Sequence, residues 1–498
     1  MTVFTASDLE YLAGYGLTIT QLQEQANRII QGVSFIELDR AATLGDGILK
    51  LTPKEMTHFI KVYEEQVDSL EIQRFVPASG AATRMFQELY AFLDNPKTYT
   101  EGAALFFNEK KKFAFYKKLI RKTRRLYPNY DLLGKTEKNR RLVKSLLGKK
   151  GLNYGQLPKA LLAFHLYNKR SVTAFEEQLF EAAQMDVNPV KVHFTISEVH
   201  QKKIRKHFLK IKSHIKRQTG CDFKVDFSFQ PKHTDSIALG IDNQLVRDEK
   251  KQPLLRPSGH GALLENLNAL DADILFIKNI DNVVVQTRLS EIIQYKKALA
   301  GQLIVLRNQI FDYLKKLDQR QLTSQQIQTI CTFVKRYFDP NWQSDQVEEL
   351  HHFLNRPLRV CGMVKNTGQP GGGPFWVRDK NGRVSLQIVE LAQVNTQDHS
   401  QLEVIAAATH FNPVDLVCSV RDYRGKKFDL NQFIDADSSF IATKSYHGKM
   451  LRSEELPGLW NGAMAGWLTV FIEVPPTTFN PVKTVTDLLN DSHQSKFK

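Results

Sequence analysis

Five short clusters in this 498-residue chain have residue types and spacing suited to holding phosphates. The first is Ala78-Ser79-Gly80-Ala81-Ala82-Thr83-Arg84. Small residues between an apolar stretch and a helical pattern let backbone N–H groups approach an anion, and a helix N-terminus favours negative charge. Arg84 then falls one turn inside the helix, where its forked guanidinium reaches a phosphate oxygen. A tight turn carrying a surface arginine reads the same way, so the run alone leaves both open. The second cluster is Leu157-Pro158-Lys159, a lysine just after a proline whose ring restricts the backbone. In the third, Arg256-Pro257-Ser258-Gly259-His260-Gly261, two glycines around one polar residue allow close backbone approach to a ligand, or simply a turn. The fourth is Asp281 beside Asn282, past a buried apolar run. A carboxylate beyond a strand's carboxyl end suits Mg²⁺, which shares its oxygen ligands with phosphates; a helix cap is the competing reading. The fifth is Phe479-Asn480-Pro481-Val482-Lys483, again a lysine after a proline-bearing turn.

The elements that must position these residues alternate along the chain. The first seventy residues read as helices with capping boxes at Thr20–Gln23 and Thr52–Glu55, the second with Pro53 where a helix tolerates it. Ile72–Val76 reads as a strand, Pro77–Ala82 as a loop and Thr83–Leu93 as a helix. Phe106, Phe113, Tyr116 and Ile120 fall on one helical stripe, and a helix from about Glu137 to Leu147 stops at Gly148. Val192–Ser197 reads as a strand, Glu198–Lys212 as a basic helix and Phe223–Phe229 as a half-buried strand. Ala262–Leu270 reads as a helix and Ile274–Ile277 as a buried strand. A helical block covers Leu289–Leu354. Strands resume at Leu358–Val364 and Leu386–Val394, around the glycine-rich Thr367–Pro374, and Phe471–Leu489 reads strand, turn, helix. Such alternation predicts an α/β fold with mostly parallel strands.

Composition narrows the function classes. Hydrophobic residues at 42% and charged residues at 24% are ordinary for a globular chain. No apolar run reaches the roughly 18 residues of a membrane span. The start, MTVFTASDLEYL, lacks the basic-then-apolar order of a secretory signal, so a cytoplasmic location is expected. Cys221, Cys331, Cys361 and Cys418 lie far apart, which fits a reducing compartment and gives no zinc pattern. Net charge is +15, yet residues 109–150 hold sixteen Lys/Arg against Glu109, Asp131 and Glu137, so all but +2 of it sits there. That segment interleaves Phe113, Phe115, Tyr116 and Tyr127 with its cations, a nucleic-acid-binding pattern; an amphipathic helix pair with a solvated basic face is the preferred reading.

In their order, these clusters resemble the UDP-glucose and UDP-N-acetylhexosamine pyrophosphorylases. Ser79–Arg84 is similar to a degenerate form of their GGxGTR loop, and Pro158-Lys159 to their Pro-Lys. Pro257–Leu263 is similar to their PxGNGGLY, Ile280-Asp281-Asn282 to their VDN, and Ile388-Val389-Glu390 to their VVEY. Phe479–Leu489 resembles their F-x-P-V-K-x-x-x-D-L-L most closely. With Leu456–Trp467 the chain resembles a bacterial family of unknown function within that superfamily. Three departures stand out: Ser79, Ala81 and Ala82 replace glycines, about seventy residues separate the first loop from Pro158-Lys159, and His260 replaces an asparagine.

The resemblance implies a Rossmann-like, glycosyltransferase-A-type sheet flanked by helices. Residues 1–70 would form a helical segment and 71–395 the core, with helical insertions at 95–155 and 289–355. Residues 396–498 would complete the sugar-phosphate site. It implies a Mg²⁺-dependent nucleotidyltransferase that joins a nucleoside triphosphate to a sugar-1-phosphate, with neither nucleic acid nor membrane as a partner. Arg84, Lys159 and Lys483 would be catalytic. Ser79, Gly80, Thr83, Gln230, Gly259 and His260 would bind nucleotide, Glu390 and Asn461 sugar, and Asp281 the metal. The alternatives left open are a catalytically inactive nucleotide-sugar-binding protein, a glycosyltransferase on the same fold, and a nucleic-acid-binding protein using residues 109–150.

Overall fold

Short β-branched and aromatic runs between capped amphipathic helices produce a mixed α/β fold, seen here in a computed structural model that describes residues 4–80, 82–185, 188–319, 322–368 and 371–495. Ala81 of the first loop, and Gln369 and Pro370 of the glycine-rich stretch, lie outside the described residues. The chain divides into two units, each assembled from separated segments. Unit I comprises Ile72–Phe229, Ile277–Lys297 and Pro475–Lys498; unit II comprises Met1–Glu71, Gln230–Phe276 and Ala298–Val474.

In unit I the strands Ile72–Pro77, Val190–Thr195 and Phe223–Ser228 pair side by side in parallel, with Val76 opposite Phe194 and Phe194 opposite Phe227. Parallel neighbours need a crossover. Between the last two strands it is the basic helix Gln201–Thr219, which ends at Gly220 with φ 74°, a left-handed conformation that glycine adopts at little cost. Residues 101–147 form three helices, Glu101–Glu109, Tyr116–Leu126 and Lys135–Leu147. The stripe expected through Phe106 and Ile120 is therefore not one helix. Three successive lysines, Lys110–Lys112, form a 3-10 turn, and Phe113 is extended. Its rings nevertheless share one core: Phe106 and Phe113 centroids lie 5.0 Å apart, and Phe113 stacks on Phe115 at 5.2 Å. Both phenylalanines of the interleaved pattern are thus buried and serve packing, not base stacking.

Two buried polar clusters hold unit I together. Glu181 receives Lys278 at 2.6 Å, Lys296 at 3.7 Å and Arg74 at 3.9 Å. Burial pushes its carboxyl up, but the three cations outweigh that and bring it down to about 2. In the second cluster, His165 Nδ1 bonds Glu177 at 2.8 Å and its Nε2 bonds His493 Nδ1 at 2.9 Å, while the Tyr167 hydroxyl donates to Glu177 at 2.9 Å. Burial, then the neighbouring His165, lowers His493 from 6.5 to about 3. The folded state therefore resists a proton that the unfolded chain accepts. This contribution to stability is intact above about pH 6.5 and is lost as pH falls towards 3. In calorimetry from pH 7 to pH 4, His493→Asn should lower Tm at neutral pH and show a shallower fall with acid than wild type. Parallel curves would mean that His493 does not carry the acid sensitivity.

In unit II, strands Thr43–Leu44, Gly47–Leu49, Leu468–Glu473, Leu358–Lys365 and Asp415–Ser419 adjoin in that order; all pairings are parallel except the last. Two further sheets are antiparallel. One joins Glu37–Ala41, Gly373–Arg378 and Val384–Val389. The other joins Leu255–Arg256, Ser236–Gly240, Lys449–Glu455 and Phe440–Tyr446. The capping box expected at Thr20–Gln23 forms two residues earlier, at Thr18–Gln21. Both threonines have a glutamine three positions on; the earlier start lengthens the helix Ile19–Gln31 while Leu22, Ala26 and Ile29 stay buried. The box at Thr52–Glu55 forms as expected, with Pro53 in the first turn. The block 289–354 is helical as read: Leu289–Gln319, Ser324–Tyr337 and Val347–Leu354. Among the described residues no helix is long and apolar enough to cross a membrane.

Candidate functional site

In unit I the second, fourth and fifth sequence clusters meet. Pro158 caps the 3-10 turn Lys159–Leu161, and from there the Lys159 ammonium bonds Asp281 Oδ2 at 2.6 Å and the Val482 carbonyl at 2.8 Å. These partners lie 122 and 323 residues away in sequence. The Lys159 and Asp281 side chains are 17% and 18% exposed, accessible to a ligand yet poorly screened. Asp281 and the tail turn are tied by the backbone: Val482 N–H donates to the Asp281 carbonyl at 3.1 Å. Asn282 is fully committed to the same junction. Its Oδ1 accepts Asn480 N–H at 2.8 Å and its amide donates to the Thr478 carbonyl at 3.4 Å. Asp281 is thus a charged group at a strand-end junction, not a helix cap.

Lys483 follows directly, exposed, its ammonium 5.8 Å from the Phe479 ring. The helix expected after it is only a 3-10 turn, Val485–Leu489. The Asp487 carboxylate takes the Lys483 and Thr484 N–H groups at 2.8 and 2.7 Å, and Asn490 turns extended. The first loop, also in unit I, leaves the strand at Ala78. Thr83 and Arg84 are exposed, Ser79 is half-buried and nothing stands within 4 Å of a Cβ placed on Gly80. Arg84 opens a 3-10 turn, Arg84–Phe86, that precedes the α-helix Gln87–Asp94, so the α-helical N-terminus falls later than expected.

The remaining candidates gather in unit II. Leu459 N–H donates to His260 Nδ1 at 2.8 Å, which leaves the ring proton on Nε2, 3.3 Å from Glu390 Oε1. Asn461 Nδ2 donates to the same Glu390 oxygen at 2.9 Å. The His260 hydrogen bond holds Glu390 below the usual carboxylate range, against its burial. The Glu390 carboxylate also accepts the Gln393 N–H in a capping box, and the buried Asn461 Oδ1 has no hydrogen-bond partner. This set therefore offers one unpaired acceptor, Asn461 Oδ1, beside a carboxylate, groups that suit a hydroxyl donor. Gln230 lies apart from this set in its own network, donating to Thr234 at 3.2 Å and Asp235 at 2.8 Å.

Two structural roles went unread in the sequence. The Trp460 ring stacks on His260 at 4.0 Å and 12°. Behind it, the fully buried Arg359 donates to the Trp460 carbonyl at 2.6 Å and to Thr469 at 2.8 Å. An arginine within the apolar strand Leu358–Lys365 was the available signal. Gly259 and Gly261 each meet a local requirement of the fold. Gly259 adopts φ 75°, a left-handed conformation that suits glycine, and a Cβ on Gly261 would come 2.1 Å from the Pro457 carbonyl, so Gly261 admits the neighbouring Leu456-Pro457 backbone.

Among the described residues no group of three or more His, Cys, Asp or Glu side chains is placed to hold a metal. Asp281 offers one carboxylate. That suits Mg²⁺ only where substrate phosphates and water supply the other ligands, which is how this ion is commonly held.

Comparison with solved structures finds similarity to enzymes of nucleotide-sugar metabolism. The UDP-N-acetylglucosamine pyrophosphorylase of Trypanosoma brucei, in complex with inhibitor, is 11% identical over 98% of this chain and 82% of its own, with a TM-score of 0.47. The UDP-glucose pyrophosphorylase of Leishmania major is 11% identical over 98% and 78%, with a TM-score of 0.44. A pyrophosphorylase from Entamoeba histolytica named for UDP-N-acetylglucosamine is 10% identical over 90% and 82%, with a TM-score of 0.43. No curated protein matches this chain. A family profile does match, over residues 5–494, and by it the chain belongs to the family described as Domain of unknown function (DUF4301).

Proposed function

We propose that this protein is a nucleotidyltransferase that joins a nucleoside triphosphate and a sugar-1-phosphate, releasing pyrophosphate. The observation that carries this reading is the convergence of Lys159, Asp281 and the Val482 carbonyl from three distant parts of the chain. The order of the sequence motifs supports it.

In the reaction a phosphate oxygen of the sugar attacks the α-phosphorus, and the bond from that phosphorus to the bridging oxygen breaks. Nucleophile and leaving group are both anions, so no proton need move. What the site must supply is alignment and positive charge. Lys159 is held by one carboxylate and one carbonyl, so its ammonium is aimed before substrate arrives and neutralises the α-phosphate. Lys483 does the same for the sugar phosphate. Arg84 and the open backbone at Gly80, with Ser79 and Thr83 beside them, take the β- and γ-phosphates. Asp281, with the substrate phosphates, would hold Mg²⁺, which supplies charge neutralisation on the phosphoryl oxygens. In unit II, Gln230 and Gly259 are assigned to the base and His260 to a ribose or sugar hydroxyl. Glu390 and Asn461 accept hydrogen bonds from sugar hydroxyls.

A panel of nucleoside triphosphates against sugar-1-phosphates, with Mg²⁺ and a pyrophosphate readout, tests this. At least one pair should release pyrophosphate at a rate proportional to enzyme. Tight binding of a nucleotide sugar with no release from any pair would replace catalysis with the binding-protein reading.

A further inference from the structure

Unit I carries a second feature that the phosphoryl-transfer reading does not use. A cleft of about 650 Å³ lies where the helix Lys135–Leu147 ends, within the usual range for small-ligand pockets. Tyr90, Tyr127, Lys144, Lys149, Lys150 and Gln156 contribute to its wall, and no acidic side chain does.

The lysines are presented on a fixed support. Gly151 N–H donates to the Gly148 carbonyl at 2.9 Å, Leu152 N–H to Ser145 at 2.7 Å and Asn153 N–H to Gly148 at 3.2 Å. A Cβ on Gly151 would lie 1.8 Å from the Ser145 carbonyl, so the Gly148–Gly151 turn is pressed against the helix in a way only glycine permits. Lys149 and Lys150 sit on that turn, and Lys144 one helical turn before it. On the other side, the Arg141 guanidinium stacks 4.6 Å from the Tyr127 ring centroid and fixes it.

The surrounding charge is poorly balanced. Of the sixteen cations in residues 109–150, only Lys112, Arg124, Arg140 and Arg141 have a carboxylate partner; among the described residues the other twelve have none. Burial, then repulsion from Lys111 and Lys135, lowers the Lys110 ammonium, a sign of how crowded these charges are. A bound polyanion would relieve that repulsion.

We infer that this cleft binds a free nucleotide with two or three phosphates, the lysines taking the phosphates and the tyrosine rings the base. Finite volume favours a small molecule over a strand, and two aromatic rings favour a nucleotide over inorganic phosphate. The site is independent of the nucleotidyltransferase reading, because it shares no residue with Lys159, Asp281 or Lys483.

Equilibrium binding of ATP, inorganic tripolyphosphate and oligouridylate to the full chain tests it, in a Lys159→Ala/Lys483→Ala background that disables the proposed phosphate site. ATP should bind, and Lys144→Ala/Lys149→Ala/Lys150→Ala should weaken it by about tenfold or more with Tm unchanged or raised, since like charges are removed. Tyr127→Leu should weaken ATP but leave tripolyphosphate unaffected. Equal ATP binding by the triple-alanine variant and its parent overturns the site. Binding of oligouridylate alone also overturns it, and assigns the basic surface to a nucleic-acid strand. Loss of pyrophosphate release in the original panel, with ATP binding retained here, would count against the catalytic reading alone.

Discussion

Lys159→Ala and Lys483→Ala are each expected to lower kcat by roughly 10²–10³-fold, the scale of removing one preorganised charge-stabilising donor. Negative charge crowds around the α-phosphate as it is transferred between two anionic groups, so an ammonium held there contributes more in the transition state than in the bound ground state. KM should therefore move much less than kcat. Lys159 meets this requirement because Asp281 at 2.6 Å and the Val482 carbonyl at 2.8 Å already fix its position. Arginine should rescue neither site fully, since a planar fork does not reproduce a point charge in a tight phosphate pocket. The double variant should lose less than the product of the single effects, because both lysines act on one charge cluster. Steady-state pyrophosphate release on wild type, the two alanine variants, the two arginine variants and the double variant decides it. Unchanged kcat in both single variants would make the lysines surface charges and end the catalytic assignment.

Asp281→Asn is expected to reduce turnover by orders of magnitude while Tm moves little. Asparagine keeps the shape but removes the charge that suits a divalent cation and that holds Lys159. The pair is mostly buried, at 17% and 18% exposure, but the asparagine Oδ1 still accepts from the Lys159 ammonium, so the change should cost on the order of 1–2 kcal/mol in stability. A second readout separates metal binding from lysine positioning. With nucleotide present, Mn²⁺ standing in for Mg²⁺ should bind wild type more tightly than Asp281→Asn, as followed by its electron spin resonance signal. Equal Mn²⁺ binding with lost turnover would leave Asp281 as the residue that positions Lys159. A retained rate with a large fall in Tm would make it purely structural.

Much of the local structure was legible in the sequence because short-range physics decides it. The capping box at Thr52, the stop at Gly148 and the strands Ile72–Pro77, Phe223–Ser228 and Leu358–Lys365 follow from cap chemistry and from apolar alternation. Where two local solutions were nearly equal, as at Thr18 and Thr20, the sequence did not choose between them. The residues that meet around Lys159 were also legible, although only as motifs in order. Nothing in Pro158-Lys159 or in Pro481-Val482-Lys483 states that the two touch.

Tertiary structure decided the rest. It set the Lys159 ammonium against Asp281, placed His260, Glu390 and Asn461 around one carboxylate oxygen, and pressed Gly261 against the Pro457 carbonyl. It also buried Phe113 and Phe115, which by composition looked free to stack on bases. In each case the deciding energy comes from contacts between residues far apart in the chain, whose partners no local pattern specifies. Arg359 shows the limit most plainly: its type is unexpected in an apolar strand, but its function, holding the Trp460 carbonyl behind His260, exists only once the strands are assembled. The sequence by itself determined which residues carry charge and, through caps and apolar periodicity, the placement of elements such as the helix capped at Thr52 and the strand Leu358–Lys365. Folding determined which charges face one another, because burial and distance, rather than residue type, set the strength of an electrostatic contact.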